Sequence, residues 1–213
     1  MIAHHPEDAL LLDYAAGSLA EPVALIVATH VALCAACRQA VAALEDAGGA
    51  LLAAIEPAAM EDGAVAAMLA RLDEPERPAV PPPAADPLLP APLRPYVRRG
   101  LDGLTWRRVS RAIEEARLPI VARGYKASLL RIRRGSVQPQ HTHRGHVFTL
   151  VLAGGYSDGG AAFGPGDFDG RDGTHRHQPK VDDDEDCLCL VVLDAPIRLT
   201  GPVGRLANPF IRF

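Results

Sequence analysis

Apolar residues in the first seventy positions recur at helical rather than alternating spacing. Leu10, Leu11, Tyr14 and Ala15 form one stripe, which predicts a short helix over 7–17 that Gly17 stops. A second run opens at Ser18, with Glu21 three residues on in a capping-box position and Pro22 in the first turn. It continues through an alanine-rich stretch towards Glu45-Asp46, and Gly48-Gly49 is predicted to break it. Further helices are predicted over 50–56 and about 60–72, the latter from Met60, Val65, Met68, Leu69 and Leu72. No strand pattern precedes residue 75. The periodicity then stops, because residues 75–95 hold nine of the chain's 19 prolines, a composition that suits an extended, semi-stiff spacer. Beyond residue 96 the texture is β: short runs at Ala127–Ile132, Val147–Leu152 and Cys187–Leu193 alternate with turns such as GGYSDGG and GPGDFDG. Strands of this length and spacing predict a sandwich or barrel. The expectation is a multidomain α + β chain: an all-α domain at 1–74, a Pro-rich linker at 75–95 and a β-barrel domain at 96–213.

Charge sharpens that division. Residues 1–90 carry 13 Asp/Glu against three Lys/Arg, a net of −10, whereas residues 91–213 carry a net of +6. An acidic helical half suits a basic partner. Residues 94–134 hold 12 Lys/Arg, but no recognisable nucleic-acid motif accompanies them, so direct DNA binding is not expected. A solvated face, or docking on the acidic domain, accounts for them. No run approaches the ~20 apolar residues that span a bilayer. The opening MIAHHPEDALLLDY lacks a basic region and is broken by Asp13, so it does not read as a signal peptide. A cytoplasmic protein with no membrane partner is expected. Four cysteines in C-x2-C and C-x-C pairs fit metal or redox chemistry better than a disulfide framework.

The first chemical signal is His30-Val-Ala-Leu-Cys34-Ala-Ala-Cys37. On one helix these three side chains would share a face. One imidazole and two thiolates make three of the four ligands of a tetrahedral Zn²⁺ site. A redox C-x-x-C has no need of a histidine one turn earlier, so zinc is the better reading. The fourth ligand has two candidates, His4 and His5.

The pattern His5…His30-x3-Cys34-x2-Cys37 resembles the zinc-binding anti-sigma domain, and "DALLLDYAAGSL" and "ALEDAGGALL" resemble its version in ChrR-type anti-sigma factors. The resemblance spans nearly the whole chain, since those proteins also carry a Pro-rich linker and a C-terminal cupin (a double-stranded β-helix, or jelly-roll, barrel). It implies His5 as the fourth ligand. It also implies that the helical domain binds an extracytoplasmic-function sigma factor and denies it core RNA polymerase. Inhibition would be relieved by an oxidative signal, singlet oxygen or organic hydroperoxide. No enzymatic activity is expected.

The second signal is GSVQPQHTHRGHVFTLVLAG, residues 135–154, which resembles the first cupin motif G-x5-H-x-H-x3,4-E-x6-G through Gly135, His141, His143 and Gly154. His141 and His143 alternate on a strand and so project to one side, and His177 in THRHQP supplies a third imidazole. Where the motif has glutamate this chain has Val147, which cannot ligate. His146 and His175 are weaker candidates for the fourth position. A second divalent metal is expected here, an all-nitrogen set favouring Zn²⁺, bound less tightly than at the first site. Cys187 and Cys189 share one face of the strand DCLCLVVLD, as core thiols or as the residues an oxidant reaches. The rival expectation is a metal-dependent cupin oxygenase whose helical module serves oligomerisation.

Overall fold

The computed structural model of the 213-residue chain describes residues 2–75, 86–174 and 176–200. Four helices come first: α1 (Asp8–Ala15), α2 (Glu21–Leu33), α3 (Ala35–Ala53) and α4 (Ala64–Ala70). The second helical run is not one helix. α2 ends at Leu33, Cys34 takes an extended conformation (φ −103°, ψ 113°), and α3 leaves at 118° to α2. The bend puts His30 in the last turn of one helix and Cys37 in the first turn of the next. The motif's side chains therefore converge across a corner rather than along a face.

Other details of the helical reading change. Ser18 is not a cap; its hydroxyl donates back to the Asp13 carbonyl at 3.0 Å, and α2 begins after Ala20 with no side-chain cap. Gly48-Gly49 does not stop α3, which runs to Ala53 and absorbs the helix expected over 50–56. Two glycines cost a helix about 1 kcal/mol each relative to alanine, and the Ala- and Leu-rich turns on either side outweigh that. α4 is shorter than expected and continues as a 3₁₀ turn at Arg71–Asp73.

Eleven strands follow: β1 (Arg107–Arg108), β2 (Ile113–Arg117), β3 (Lys126–Ile132), β4 (His141–His143), β5 (Val147–Ala153), β6 (Tyr156–Asp158), β7 (Ala161–Phe163), β8 (Phe168–Arg171), β9 (Lys180–Val181), β10 (Cys187–Leu193) and β11 (Ile197–Leu199). Six make one antiparallel sheet in the order β1-β2-β3-β10-β5-β8. The rest form the pairs β11-β4 and β7-β6-β9, tied together by a bridge between His141 and His177 and another between Val137 and Lys180. The two layers enclose the barrel. Gly154 turns the chain from β5 into β6 at φ +66°, where a Cβ would lie 2.5 Å from the Asp186 carbonyl oxygen, so the last glycine of the motif is required by the backbone.

The central strand β10 is buried on both faces, which is why it reads as a near-continuous apolar run, while its neighbours β3 and β5 are buried over part of their length. Inside the barrel Cys187, Cys189 and Val191 pack with Val147, Val151, Tyr156 and Phe163. On the outside Leu188, Leu190 and Val192 belong to a core that also takes in Val23, Ile26 and Val27 of α2 and Leu11 of α1. α2 lies against β10 and β5, and α1 and α3 cover its other side. A helix enclosed in this way has no solvent face, hence its apolar character all round.

Of the Pro-rich stretch, residues 76–85 lie outside the described residues. Residues 86–95 are no open spacer: a 3₁₀ turn at Ala91–Leu93 packs on α2, and Leu89 and Leu93 are buried. The contact of this turn with α2 is apolar. Tyr96 adds a hydrogen bond to Glu21 at 2.8 Å, and among the described residues no ion pair joins the acidic helices to the basic barrel. Part of the basic excess is used within the barrel itself, where Arg107 and Lys126 pair with buried Glu115 and Arg131 lies 4.4 Å over the Trp106 ring.

Two candidate metal centres

His5, His30, Cys34 and Cys37 come together at the corner between α2 and α3, their ligand atoms all within 4.8 Å of one another. His30 Nε2 is 3.2 Å from Cys37 Sγ, and His5 Nδ1 is 3.4 Å from Cys37 Sγ and 3.5 Å from Cys34 Sγ. A tetrahedron of two sulfurs and two nitrogens around a zinc-sized ion has edges of roughly 3.3–3.8 Å. The four side chains therefore fit such an ion without rearrangement. Burial holds the His30 imidazole neutral, and burial with the adjacent Cys34 thiol pushes the Cys37 thiol up to about 12. A cation among them is what would make both thiols ionise. His4 is occupied elsewhere: its ring donates to the Ala162 carbonyl at 3.0 Å and lies 4.3 Å from Phe163.

The outer partners of this cluster come from the barrel. His30 Nδ1 donates to the Gly166 carbonyl at 2.9 Å, which fixes the tautomer and turns Nε2 towards the sulfurs. Asp167 Oδ1 accepts the Ala3 and His4 backbone N–H groups at 2.6 and 2.9 Å, while its Oδ2 accepts that of Gly164 at 2.8 Å. Phe168 N–H donates to the His4 carbonyl at 3.1 Å. Burial would raise the Asp167 carboxyl, but these three N–H donors and the nearby His4 reverse that and hold it below its usual range. The turn before β8 thus straps residues 2–4 down and presents His5 to the cluster. Gly166 sits at φ +91°, and a Cβ there would run into Ile2. Sequence reading took GPGDFDG only as a turn; an aspartate flanked by apolar and glycine residues was the one available hint.

In the barrel, His141, His143 and His177 form the second cluster. His177 Nδ1 donates to Asp158 at 2.9 Å and His141 Nδ1 to the Pro139 carbonyl at 2.9 Å, so both rings aim Nε2 inwards. His143 Nε2 lies 2.9 Å from His177 Nε2. Two lone pairs at that distance repel unless a proton or a cation sits between them, so the triad suits a metal. Burial, then the neighbouring imidazoles and Arg171, depress His143 to about 3, and burial followed by His177 lowers His141. Neutral imidazoles are the ligand form. Asp158, the orienting carboxylate, went unnoticed in the sequence because nothing in YSDGG distinguishes it from a turn aspartate.

Val147 faces the barrel interior and is buried. His146 does not reach the triad. It points outward, its Nδ1 3.1 Å from Asp194 and its ring stacked on Phe148, as regular strand alternation requires. His175 lies outside the described residues. Cys187 and Cys189 are free, fully buried and on the barrel side of β10, where the hydrogen bond to Cys187 and burial raise the Cys189 thiol well above its ordinary value.

Two cysteines and two histidines clustered at the helices, strapped to a cupin that carries its own histidine triad, define a two-part protein with two candidate metal sites rather than a simple cupin. Residues 99–196 match the ChrR Cupin-like domain family. Over 211 residues, 99% of each protein, the chain is 41% identical to the anti-sigma-E factor ChrR of Cereibacter sphaeroides. It superposes on ChrR in the crystal structure of Rhodobacter sphaeroides SigE in complex with the anti-sigma ChrR with a TM-score of 0.81 at 39% identity, covering 91% of this chain and 99% of that one. An RmlC-like cupin from Ralstonia eutropha gives a TM-score of 0.43 at 17% identity, over 48% of this chain and 71% of that one. The chain belongs to the ChrR family of anti-sigma factors.

Proposed function

We propose that the protein captures an extracytoplasmic-function sigma factor in the cytoplasm through its helical domain and releases it when an oxidative signal reaches the cupin. The observation that carries this reading is an apolar surface that no other part of the described residues covers. Leu51, Leu52, Ile55, Met60, Met68 and Leu72 are each more than half exposed along the end of α3 and across α4, and α4 buries no side chain. Large apolar side chains exposed in such number on one segment suit a protein interface. Exposed Glu45, Asp46, Glu56, Glu61 and Asp62 border it, a rim suited to a basic partner. In the related complex the partner of ChrR is SigE.

In this reading the domains divide at 1–74, 75–95 and 96–213. His5, His30, Cys34 and Cys37 hold a closed structural Zn²⁺, contributing on the order of 10 kcal/mol to folding a helical domain poor in aromatics. His141, His143 and His177 hold a second divalent ion, zinc by the all-nitrogen chemistry of its ligands. Cys187 and Cys189 are the residues through which an oxidant acts, since oxygen added to either thiol puts polar atoms among apolar side chains inside the barrel. Cupins also include enzymes, but the exposed helical surface is unexplained by a catalytic role.

The test is co-purification of the sigma factor with the full chain. Leu52→Glu combined with Met68→Glu should weaken capture at least 100-fold, as expected for two central apolar contacts, with metal content unchanged. Retained capture by that variant, or no sigma factor held by the metal-loaded wild type, would refute the proposal. Cys187→Ser with Cys189→Ser should abolish release by organic hydroperoxide; an unchanged response would exclude them.

A further inference from the structure

The barrel encloses a cavity of about 960 Å³ that the sigma-factor reading does not use. That is the size of a site for a small organic molecule, far beyond what a metal ion and a few waters need. His141, His143 and His177 open into it at one place, and Val147 lines the same wall. Leu130, Val191 and Leu193 give it an apolar surface, and Cys189 faces it.

Its charge is one-sided. Arg107, Arg108, Arg117, Lys126 and Arg171 line it. Glu115 and Asp169 line it too, and Arg108, exposed at its mouth, meets Glu114 at 4.0 Å. Arg107 and Lys126 share the single carboxylate of Glu115, so one cation there is unbalanced. Arg171 is spoken for by Asp169 and Asp158. The surplus cation beside Glu115, where Lys126 is largely buried, favours an anion.

The substitution at 147 gives that anion a place. Three neutral imidazoles leave a divalent ion its full +2 charge and an open position, the arrangement of sites that bind exogenous ligands rather than of closed structural ones. A glutamate at 147 would cancel half of that charge and fill the position. Valine does neither, and it adds apolar surface beside the ion.

We propose that the cupin cavity of this protein binds a small amphipathic monocarboxylate, whose carboxylate completes the coordination of a metal held by His141, His143 and His177 and whose apolar body lies along Val147, Leu130 and Val191. The inference rests on the triad being a metal site. The ligand supplies from outside the carboxylate that the chain lacks. No bond within it is made or broken. Affinity follows the metal and the chain length together, since the head needs the ion and the tail needs the apolar wall.

The full-length protein with zinc at the Cys34/Cys37 cluster is titrated with Co²⁺, bound cobalt is counted by metal analysis, and octanoate is then added while the visible cobalt spectrum and the heat of binding are followed. The expected result is one Co²⁺ per chain at the triad and a saturable spectral change with octanoate. Octanamide, which lacks the charge, should bind at least tenfold more weakly, and so should acetate, which lacks the tail. Val147→Glu should take up Co²⁺ more tightly and lose octanoate affinity at least tenfold. No cobalt at the triad overturns both the metal reading and this inference. Cobalt uptake with no response to octanoate, or a response equal in Val147→Glu, overturns the inference alone.

Discussion

Asp167→Ala tests whether the barrel holds the helical metal cluster together. The carboxylate accepts three backbone N–H groups, at 2.6, 2.8 and 2.9 Å, two of them on residues 3 and 4 next to His5. Hydrogen bonds to a charged acceptor contribute about 1.5–3 kcal/mol each. They do not add, and water can reach the freed donors on the half-exposed N-terminal segment, so a loss of about 2–3 kcal/mol is the reasoned figure. The Phe168 N–H to His4 carbonyl bond remains but is one contact where there were three. Metal binding must then order residues 2–5 as well as close the site.

That energy should appear as zinc affinity. At 1.4 kcal/mol per factor of ten, the Asp167→Ala protein should bind zinc at the helical cluster about 30- to 150-fold more weakly. Asp167→Asn, which keeps one acceptor oxygen, should fall between. Competition with a chromophoric chelator on the full chain measures it, with Asp46→Ala on the exposed face of α3 as a charge control. Hydrogen exchange at residues 3 and 4 should quicken in parallel. Zinc affinity within threefold of wild type in a folded Asp167→Ala protein would mean that His5 is positioned by the helices alone, and the strapping argument would be wrong.

Three further outcomes are expected. Cys34→Ser should cost folding of the helical domain and sigma capture together, seen as loss of helical circular dichroism and of co-purification; a variant that stays folded and keeps its partner would contradict a structural role. Leu190→Ala, which empties a fully buried position on the outer face of β10, should destabilise the protein by about 2–5 kcal/mol in urea unfolding. Burial alone would raise Glu115, but hydrogen bonds from Lys126, Arg107 and Ser128 hold it at about 2. A carboxylate depressed in the folded state stabilises above its unfolded value and loses that contribution as pH falls. About 3 kcal/mol should therefore disappear between pH 4.5 and 2, and Glu115→Gln should flatten that limb of the stability–pH curve.

What was legible in the sequence followed from local rules. The strand at 187–193 announced itself because burial on both faces leaves it no charged position, and those at 126–132 and 147–153 because short apolar runs stand between turns. The ligand types at 30, 34 and 37 were equally plain, since few other roles need that spacing. The corner at Cys34 was not legible. Alanine-rich sequence on both sides has uniformly high helix propensity, and nothing local marks a residue that leaves the helix to meet ligands from two others. Nor was the strap, because Asp167 acts through backbone N–H groups 163 and 164 residues away that carry no sequence signature. Val147 was legible through its place in the cupin motif, whereas His146, a candidate ligand by proximity, points away from the triad to Asp194.

These illegible contacts bear most on how the two parts communicate. β10 has thiols on one face and α2 on the other, and α2 ends at His30, whose Nδ1 is held by the turn before β8. The barrel interior and the helical cluster are therefore separated by one strand and one helix. Cys189 faces the cavity, whereas Cys187 is fully buried and has no such space beside it. An oxygen atom added to the Cys187 sulfur must either distort β10, which displaces α2, or push through β5 towards β8, which moves the Gly166 carbonyl and the Asp167 carboxylate. Both routes end at the same four ligands. Relief of inhibition then needs no separate messenger, only a shift at a corner where two helices, the N-terminal strap and a metal meet. Severing one route should weaken the response and leave the other intact. Asp167→Ala should accordingly reduce hydroperoxide-induced release without abolishing it, whereas the paired serine substitutions at 187 and 189, upstream of both routes, should abolish it.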